Sequence, residues 1–337
     1  MPFRHLSWLS KVPLRPLRFV YQPDFLCLNY HLVSEKPVPH VTNIYDFKTP
    51  DLLRQDIRFL RKSGFKFADP TVFAKEREPS PRKRGEVLLT FDDGMAQCFH
   101  VVRDILKEEG VSAIFFITSG IVDNVQLLAQ HRASLAIAHM VGSDNQTQLT
   151  EEARAFLELE NTTDDKLFDA VRSFEKESAV VKLLEHWNIS EADYLANEKP
   201  YVTQDQIKSL ADDGFVMGGH GIDHRRLDSE QSLEEVERQM SEPCKFVRSL
   251  TSQDVVPFAF PYSCRIENND LKSILHRNKH IGCLFGTGGI RPVSPFLKNR
   301  INCDWRYGSS PSRSNLPILL KQAYYSHFRA EVKMRTA

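Results

Sequence analysis

Short apolar runs separated by amphipathic stretches set the pattern of this chain. Residues 25–33 (Phe-Leu-Cys-Leu-Asn-Tyr-His-Leu-Val), 86–91, 111–117, 215–219, 255–260 and 281–285 read as buried strands, with a last short strand at 299–304. Between them the apolar spacing turns helical. Leu52, Leu53, Ile57, Phe59 and Leu60 share one side of a helix over 49–63, and Gly64 stands where a C-terminal cap glycine belongs. Further helices are expected at 97–109, from the capping box Thr203-Gln-Asp-Gln206 through Leu210, from Ser232 through about Leu250, and at 269–278. Strand and helix alternate, which implies parallel pairing through crossover helices. The predicted class is α/β. Polar residues that follow strand ends favour a (β/α) barrel over a doubly wound open sheet.

One stretch breaks the alternation. Residues 145–199 are polar, acidic and helical in character, and the segment from about 122 to 201 is longer than a normal crossover. It reads as a helical insertion, with Thr150 and Thr162 as N-caps before acidic first turns. Residues 79–85 read as a polar loop.

Composition narrows the function classes. Lys+Arg and Asp+Glu are both 44, so net charge makes no case for nucleic acid as a partner. No apolar run approaches the ~18 residues of a membrane span. Residues 1–24 form an N-terminal arm with Arg4, Lys11, Arg15 and Arg18, no continuous apolar core of a secretory signal, and Trp8, Leu9 and Phe19 that allow peripheral contact with an anionic membrane. The six cysteines are scattered and none forms a C-x-x-C pair, which argues against a zinc knuckle and for a reduced, cytoplasmic setting.

Two segments carry candidate chemistry. Thr90-Phe91-Asp92-Asp93-Gly94 follows the apolar run Val87-Leu88-Leu89, and His220-Gly221-Ile222-Asp223-His224 follows Gly218-Gly219. Adjacent carboxylates at a strand end repel unless a cation separates their roles. One Asp and two His suit a divalent metal with open positions, and a second Asp beside it is placed to take a proton. His276 and His280 share the same spacing but sit among cations near a helix end with no Asp pair, so they read as a surface or cap feature.

These segments resemble the polysaccharide deacetylases, the NodB-homology or carbohydrate esterase family 4 group, over roughly residues 25–120 and 200–305. Thr90 to Gly94 match the T-F-D-D-G motif in full. His220 and His224 match the H-[ST]-x-x-H motif, which departs at Gly221, where a hydroxyl residue is usual. Phe258-Ala-Phe-Pro261-Tyr262 matches the motif ending in Pro-Tyr, but lacks its arginine; Arg300 is a candidate to orient the base instead. A late Leu-x-His motif has no convincing match, and His327 is a poor substitute. Tyr30-His31-Leu32-Val33 is instead similar to the Tyr-His-x-Val segment of a branch that includes poly-N-acetylglucosamine deacetylases.

The resemblance implies a distorted NodB-type (β/α) barrel with a helical insertion, and a metal-dependent hydrolase that removes N-acetyl groups from an amino sugar. It assigns Zn2+, or Co2+ or Ni2+, to Asp93, His220 and His224. It makes Asp92 the general base, His31 the general acid and the Tyr262 amide an oxyanion donor. Pro261 and Trp305 fall to substrate binding. The implied partner is an N-acetylated saccharide or lipid-linked glycan precursor, in cell-surface glycan biosynthesis. Two other readings remain: a hydrolase of small amides or esters, and a catalytically silent glycan-binding relative.

Overall fold

The computed structural model describes residues 25–75, 85–290, 294, 296–304 and 312–336, with side chains as far as Ser326 in the last helix. The expected N-terminal arm, most of the 79–85 loop, Trp305 and the His327 side chain lie outside the described residues.

The strands are β1 (Phe25–Tyr30), β2 (Lys66–Phe67), β3 (Glu86–Phe91), β4 (Ala113–Ile117), β5 (Val216–Gly219), β6 (Val256–Ala259), β7 (Ile281–Gly286), β8 (Leu297–Asn299) and β9 (Ile301–Asn302). All pair in parallel, in the order β8-β7-β6-β5-β4-β3-β1-β9, with β2 added beside β3. The two ends of that path are neighbours in the chain, because only Arg300 separates β8 from β9. The sheet therefore nearly closes on itself into a (β/α) barrel.

Strand parity decides which residues face the barrel axis. Side chains alternate across a strand, and in-register parallel neighbours point the same way. Cys27 pairs with Leu88, Thr90 with Ile114, and Phe116 with Gly218. Cys27, Leu88, Ile114, Phe116, Val216, Ala259, Cys283 and Phe285 form one apolar cluster inside the barrel. Each buried phenylalanine there contributes ~1.5–3 kcal/mol over leaving it exposed. Helix α3 (Pro70–Lys75) closes the bottom: Phe73 stacks on Phe25, and a Cβ on Gly282 would lie 1.8 Å from the Ala74 carbonyl oxygen. Opposite-parity residues such as Leu26, Leu28, Tyr30, Leu89 and Phe115 pack in the larger core under the outer helices.

The outer helices follow from their caps and apolar faces. Thr49 caps α2 (Pro50–Lys62), accepting from the Leu52 amide, and Gly64 ends it at φ +80°. Thr203 and Gln206 form the expected capping box on α10 (Gln204–Asp212), and Ser232 caps α11 (Leu233–Leu250). The expected helix at 97–109 opens instead with a π-helical turn (Cys98–Val102) before α4 (Arg103–Glu108). Cys98 is buried there, close enough to Asp92 and Asp93 for their charges, after burial, to push its thiol up. The remaining barrel helix is α12 (Asn268–Arg277), and α13 (Leu316–Thr336) ends the chain.

Between β4 and α10 the chain runs through α5 (Ala129–Val141), α6 (Gln146–Leu157), α7 (Asp164–Val171), α8 (Glu177–His186) and α9 (Glu191–Glu198). Two expected caps are corrected. Thr150 lies inside α6, where its hydroxyl bonds back to the Gln146 carbonyl. The cap of α7 is Thr163, not Thr162: Thr163 is the extended residue whose oxygen faces the Lys166 amide. A threonine before acids marks a cap only when its backbone is extended, which the pattern alone does not fix. All six cysteines carry free thiols. Among the described residues no helix is long and apolar enough to cross a membrane.

The helical segment docks through a buried histidine pair. His131 of α5 bonds the Tyr201 hydroxyl at 2.6 Å; His40, in helix α1 (Pro39–Thr42), bonds the Tyr194 hydroxyl at 2.8 Å; the two rings meet edge to face. Burial pushes His40 down to about 4 and lowers His131 too. The unfolded chain thus takes up protons near pH 6.5 that the folded chain refuses. Stability is full above pH 6.5 and falls as pH drops toward 4, by about 3 kcal/mol for His40 over that window. Urea unfolding at pH 7 and pH 5 should show this loss, and His40→Gln should reduce it. An identical pH dependence in variant and wild type would refute the assignment.

Candidate active site

The inward parity continues past the last paired residue of each strand. His31 follows Cys27 and Asn29, Asp92 follows Leu88 and Thr90, and His220 follows Val216 and Gly218. Arg300, Asn302 and Asp304 continue the closing strand. Five polar side chains, His31, Asp92, His220, Arg300 and Asp304, thereby converge at the C-terminal mouth of the barrel, the face that carries chemistry in this architecture.

Asp92 is held by Arg300. The guanidinium donates from Nη1 to Oδ1 at 2.6 Å and from Nη2 to Oδ2 at 2.8 Å, a fork-on-fork pair. Arg300 is wholly buried; it also donates to Thr90 Oγ1 at 3.0 Å and lies over the Phe116 ring. Burial alone would raise the Asp92 carboxyl, but the Arg300 charge outweighs it and keeps the group below the usual range. The arginine missing from the Pro-Tyr segment thus has a spatial counterpart from another strand.

Asp93 turns out of the strand at φ +73°, and His224 sits at φ +59°. Such backbone costs of order 1–3 kcal/mol per non-glycine residue and persists where the surroundings impose it. The turn carries Asp93 Oδ1 to 3.4 Å from His220 Nε2 and 3.1 Å from His224 Nε2. His220 Nδ1 donates to the Ala259 carbonyl at 2.9 Å, which leaves the Nε2 lone pair facing inward. Asp93 Oδ1 is buried without a hydrogen bond. The ligand atoms of Asp93, His220 and His224 lie within 4.8 Å of one another. Three converging lone pairs and an orphaned buried carboxylate oxygen fit a divalent ion. Burial raises the Asp93 carboxyl, but the His224 and His220 imidazoles beside it more than offset this and hold it well down.

His31 Nδ1 bonds Asp304 Oδ2 at 2.5 Å, and Nε2 points back toward Asp92 Oδ2, 3.9 Å away. Burial lowers the imidazole, but the Asp304 charge more than offsets it and raises His31 to about 9. A protonated Nε2 is therefore available to the space between the carboxylates and the mouth. Tyr262 follows buried Pro261 at φ +62°; its carbonyl accepts from Thr287 and its ring meets His224 edge to face. Its amide donates to no acceptor among the described residues.

The H-x-x-x-H pair lies in a loop, not on a helix. Gly221 is at φ +80°, which favours glycine over a hydroxyl residue, and the loop is tied instead by Gln239 Oε1, which accepts from the Ile222 amide at 2.9 Å. His276 is exposed, and His280 packs against Ser241, away from this centre. Sequence reasoning missed Asp304 as the partner of His31, although its parity in the expected 299–304 strand pointed there. It also missed Tyr45, whose hydroxyl donates to Asp93 Oδ2 at 3.0 Å, and Gln130, which accepts from the Tyr262 hydroxyl at 2.8 Å. Those two come from a loop and from the inserted helices, where no periodicity marks them.

Fold and site together define a (β/α) barrel whose mouth gathers paired carboxylates and imidazoles, including a group of three residues that could hold a metal ion. The chain belongs to the polysaccharide deacetylase family: the family model described as Polysaccharide deacetylase matches residues 80–279. It is similar in structure to the deacetylase PplD of Streptococcus pyogenes in complex with acetate, with 17% identity and a TM-score of 0.51, covering 89% of this chain and 97% of that one. It is also similar to a de-N-acetylase from Aggregatibacter actinomycetemcomitans, at 14% identity and a TM-score of 0.50, covering 84% of this chain and 97% of that one. At these identities the likeness speaks for the fold. No curated protein matches the chain in sequence. Family membership supports deacetylation of a polysaccharide by hydrolysis of an amide.

Proposed function

We propose that the protein is a metal-dependent N-deacetylase acting on an acetylated amino sugar in a polysaccharide or glycan precursor, in cell-surface glycan biosynthesis. The observation that carries this reading is the meeting, at one barrel mouth, of three groups: the Asp93–His220–His224 donor set, the Asp92–Arg300 pair and the His31–Asp304 pair.

A divalent ion such as Zn2+ held by Asp93, His220 and His224 would supply Lewis acidity to the acetyl carbonyl and to water. The chain's own residues do the rest. Asp92, ionised and fixed by Arg300, accepts a proton from the attacking water through Oδ2, the oxygen nearer the His31 and His220 rings. The Tyr262 amide donates to the oxyanion that develops on the acetyl oxygen. His31 Nε2 hands its proton to the amine, which must leave neutral, while Asp304 holds the ring in place. The products are acetate and a free amino sugar.

The test is a calorimetric titration of metal-stripped wild type and Asp93→Asn with Zn2+. One tight site is expected in wild type. Loss of this anionic ligand should weaken it by about a hundredfold or more, at least the cost seen for outer-shell changes. Equal affinity in the two proteins would remove Asp93 from the metal set.

A further inference from the structure

Arg226 lies two residues beyond His224, half-buried in the loop that leaves β5. Its guanidinium carbon stands 5.1 Å from the centroid of the Tyr262 ring. Among the described residues no carboxylate lies within ion-pair distance of it, whereas its neighbour Arg225 is paired with Asp223 at 2.6 Å. The ring beneath it is held by three contacts. Tyr262 donates its hydroxyl to Gln130, packs against the His224 ring at 5.1 Å, and meets Phe174 edge to face at 6.1 Å. Phe174 comes from the inserted segment and is 39% exposed. A wall thus runs outward from the metal ligand His224 through Tyr262 to an open aromatic face and an unneutralised cation.

A partly desolvated guanidinium is stabilised by a ring face beneath it, but its N–H fork still needs acceptors, and it matches carboxylate or phosphate geometry. The chain as a whole has as many acids as bases, yet none of the described acids forms an ion pair with Arg226. We propose that the substrate is an acidic N-acetylated saccharide, and that Arg226 binds an anionic group, carboxylate or phosphate, next to the sugar that carries the acetyl amide. This rests on the deacetylase reading and names its substrate class. Phe174 and Tyr262 give the sugar an apolar surface to lie against. Arg226 stands one ring away from His224 and touches no reacting atom, so it contributes binding that is alike in ground and transition states.

The test measures acetate release by the zinc-loaded full chain from three probes. One is a neutral N-acetylhexosamine oligosaccharide, one alternates N-acetylhexosamine with a uronic acid, and one is an N-acetylhexosamine phosphate. Wild type should prefer an acidic probe, and the preferred acid identifies carboxylate or phosphate as the group read. Arg226→Gln should cut the acidic-to-neutral ratio of kcat/KM by about tenfold, the order expected of one charge-assisted hydrogen bond, with the change carried by KM. Arg226→Lys should restore part of that ratio. A ratio unmoved by Arg226→Gln, or a wild type that treats all three probes alike, overturns the acidic-substrate assignment alone. Acetate from none of the probes overturns the deacetylase reading together with it.

Discussion

Asp92→Asn is expected to lower kcat for acetate release by about a hundredfold to ten-thousandfold, the usual worth of a positioned general base, while leaving Zn2+ affinity at the Asp93–His220–His224 group in place. The asparagine keeps the shape of the side chain and one oxygen for Arg300. It cannot take a proton. Metal affinity should survive because the nearest atoms to the donor set are those of Asp93, His220 and His224, and Asp92 Oδ2 stands back at 3.8 Å from His220 Nε2. Kinetics and Zn2+ calorimetry on the same preparation separate the two roles. A variant that turns over at a rate near wild type would strip Asp92 of its role, and one that loses metal as Asp93→Asn does would move it into the ligand set.

Arg300→Met should destabilise the metal-free protein by about 3–5 kcal/mol, the cost of leaving one partner of a buried ion pair uncompensated. Methionine approximates the volume, so the loss is electrostatic in the main. Asp92 remains 2% exposed, with its Arg300 counter-charge gone. The double variant Arg300→Met, Asp92→Asn should recover part of the loss, because a neutral amide replaces the stranded carboxylate. Urea unfolding of the two single variants and the double one measures the coupling directly. Additive losses would show that Arg300 matters through packing on Phe116 rather than through Asp92.

Much of this site was legible in the sequence because strand parity and motif spacing are local. Thr90 to Gly94 and His220 to His224 follow recognisable apolar runs, and both fall where a barrel places its chemistry. The barrel class followed from the strand–helix alternation. What the sequence left open depends on closure. That Arg300 reaches Asp92 requires β8 and β9 to complete the barrel between β7 and β1, a contact spanning 208 residues. The His31–Asp304 pair depends on the same closure, across 273 residues. Tyr45 and Gln130 enter from a loop and an inserted helix, and only the packed structure brings them to Asp93 and Tyr262. The glycine at 221 makes sense once its left-handed backbone and the Gln239 bond are seen together. The misplaced caps at Thr150 and Thr162 have the opposite cause: acidic turns after threonine recur along the insertion, and backbone conformation chooses among them.

The most direct test of a metal-dependent deacetylase is acetate release from an N-acetylated oligosaccharide by one preparation in three states: as purified, stripped by a chelator, and reloaded with Zn2+. Release should disappear on stripping and return in proportion to bound zinc, saturating at one ion per chain. Acetate release that persists undiminished in the stripped protein would contradict the account, because Asp93, His220 and His224 would then be holding nothing the reaction needs.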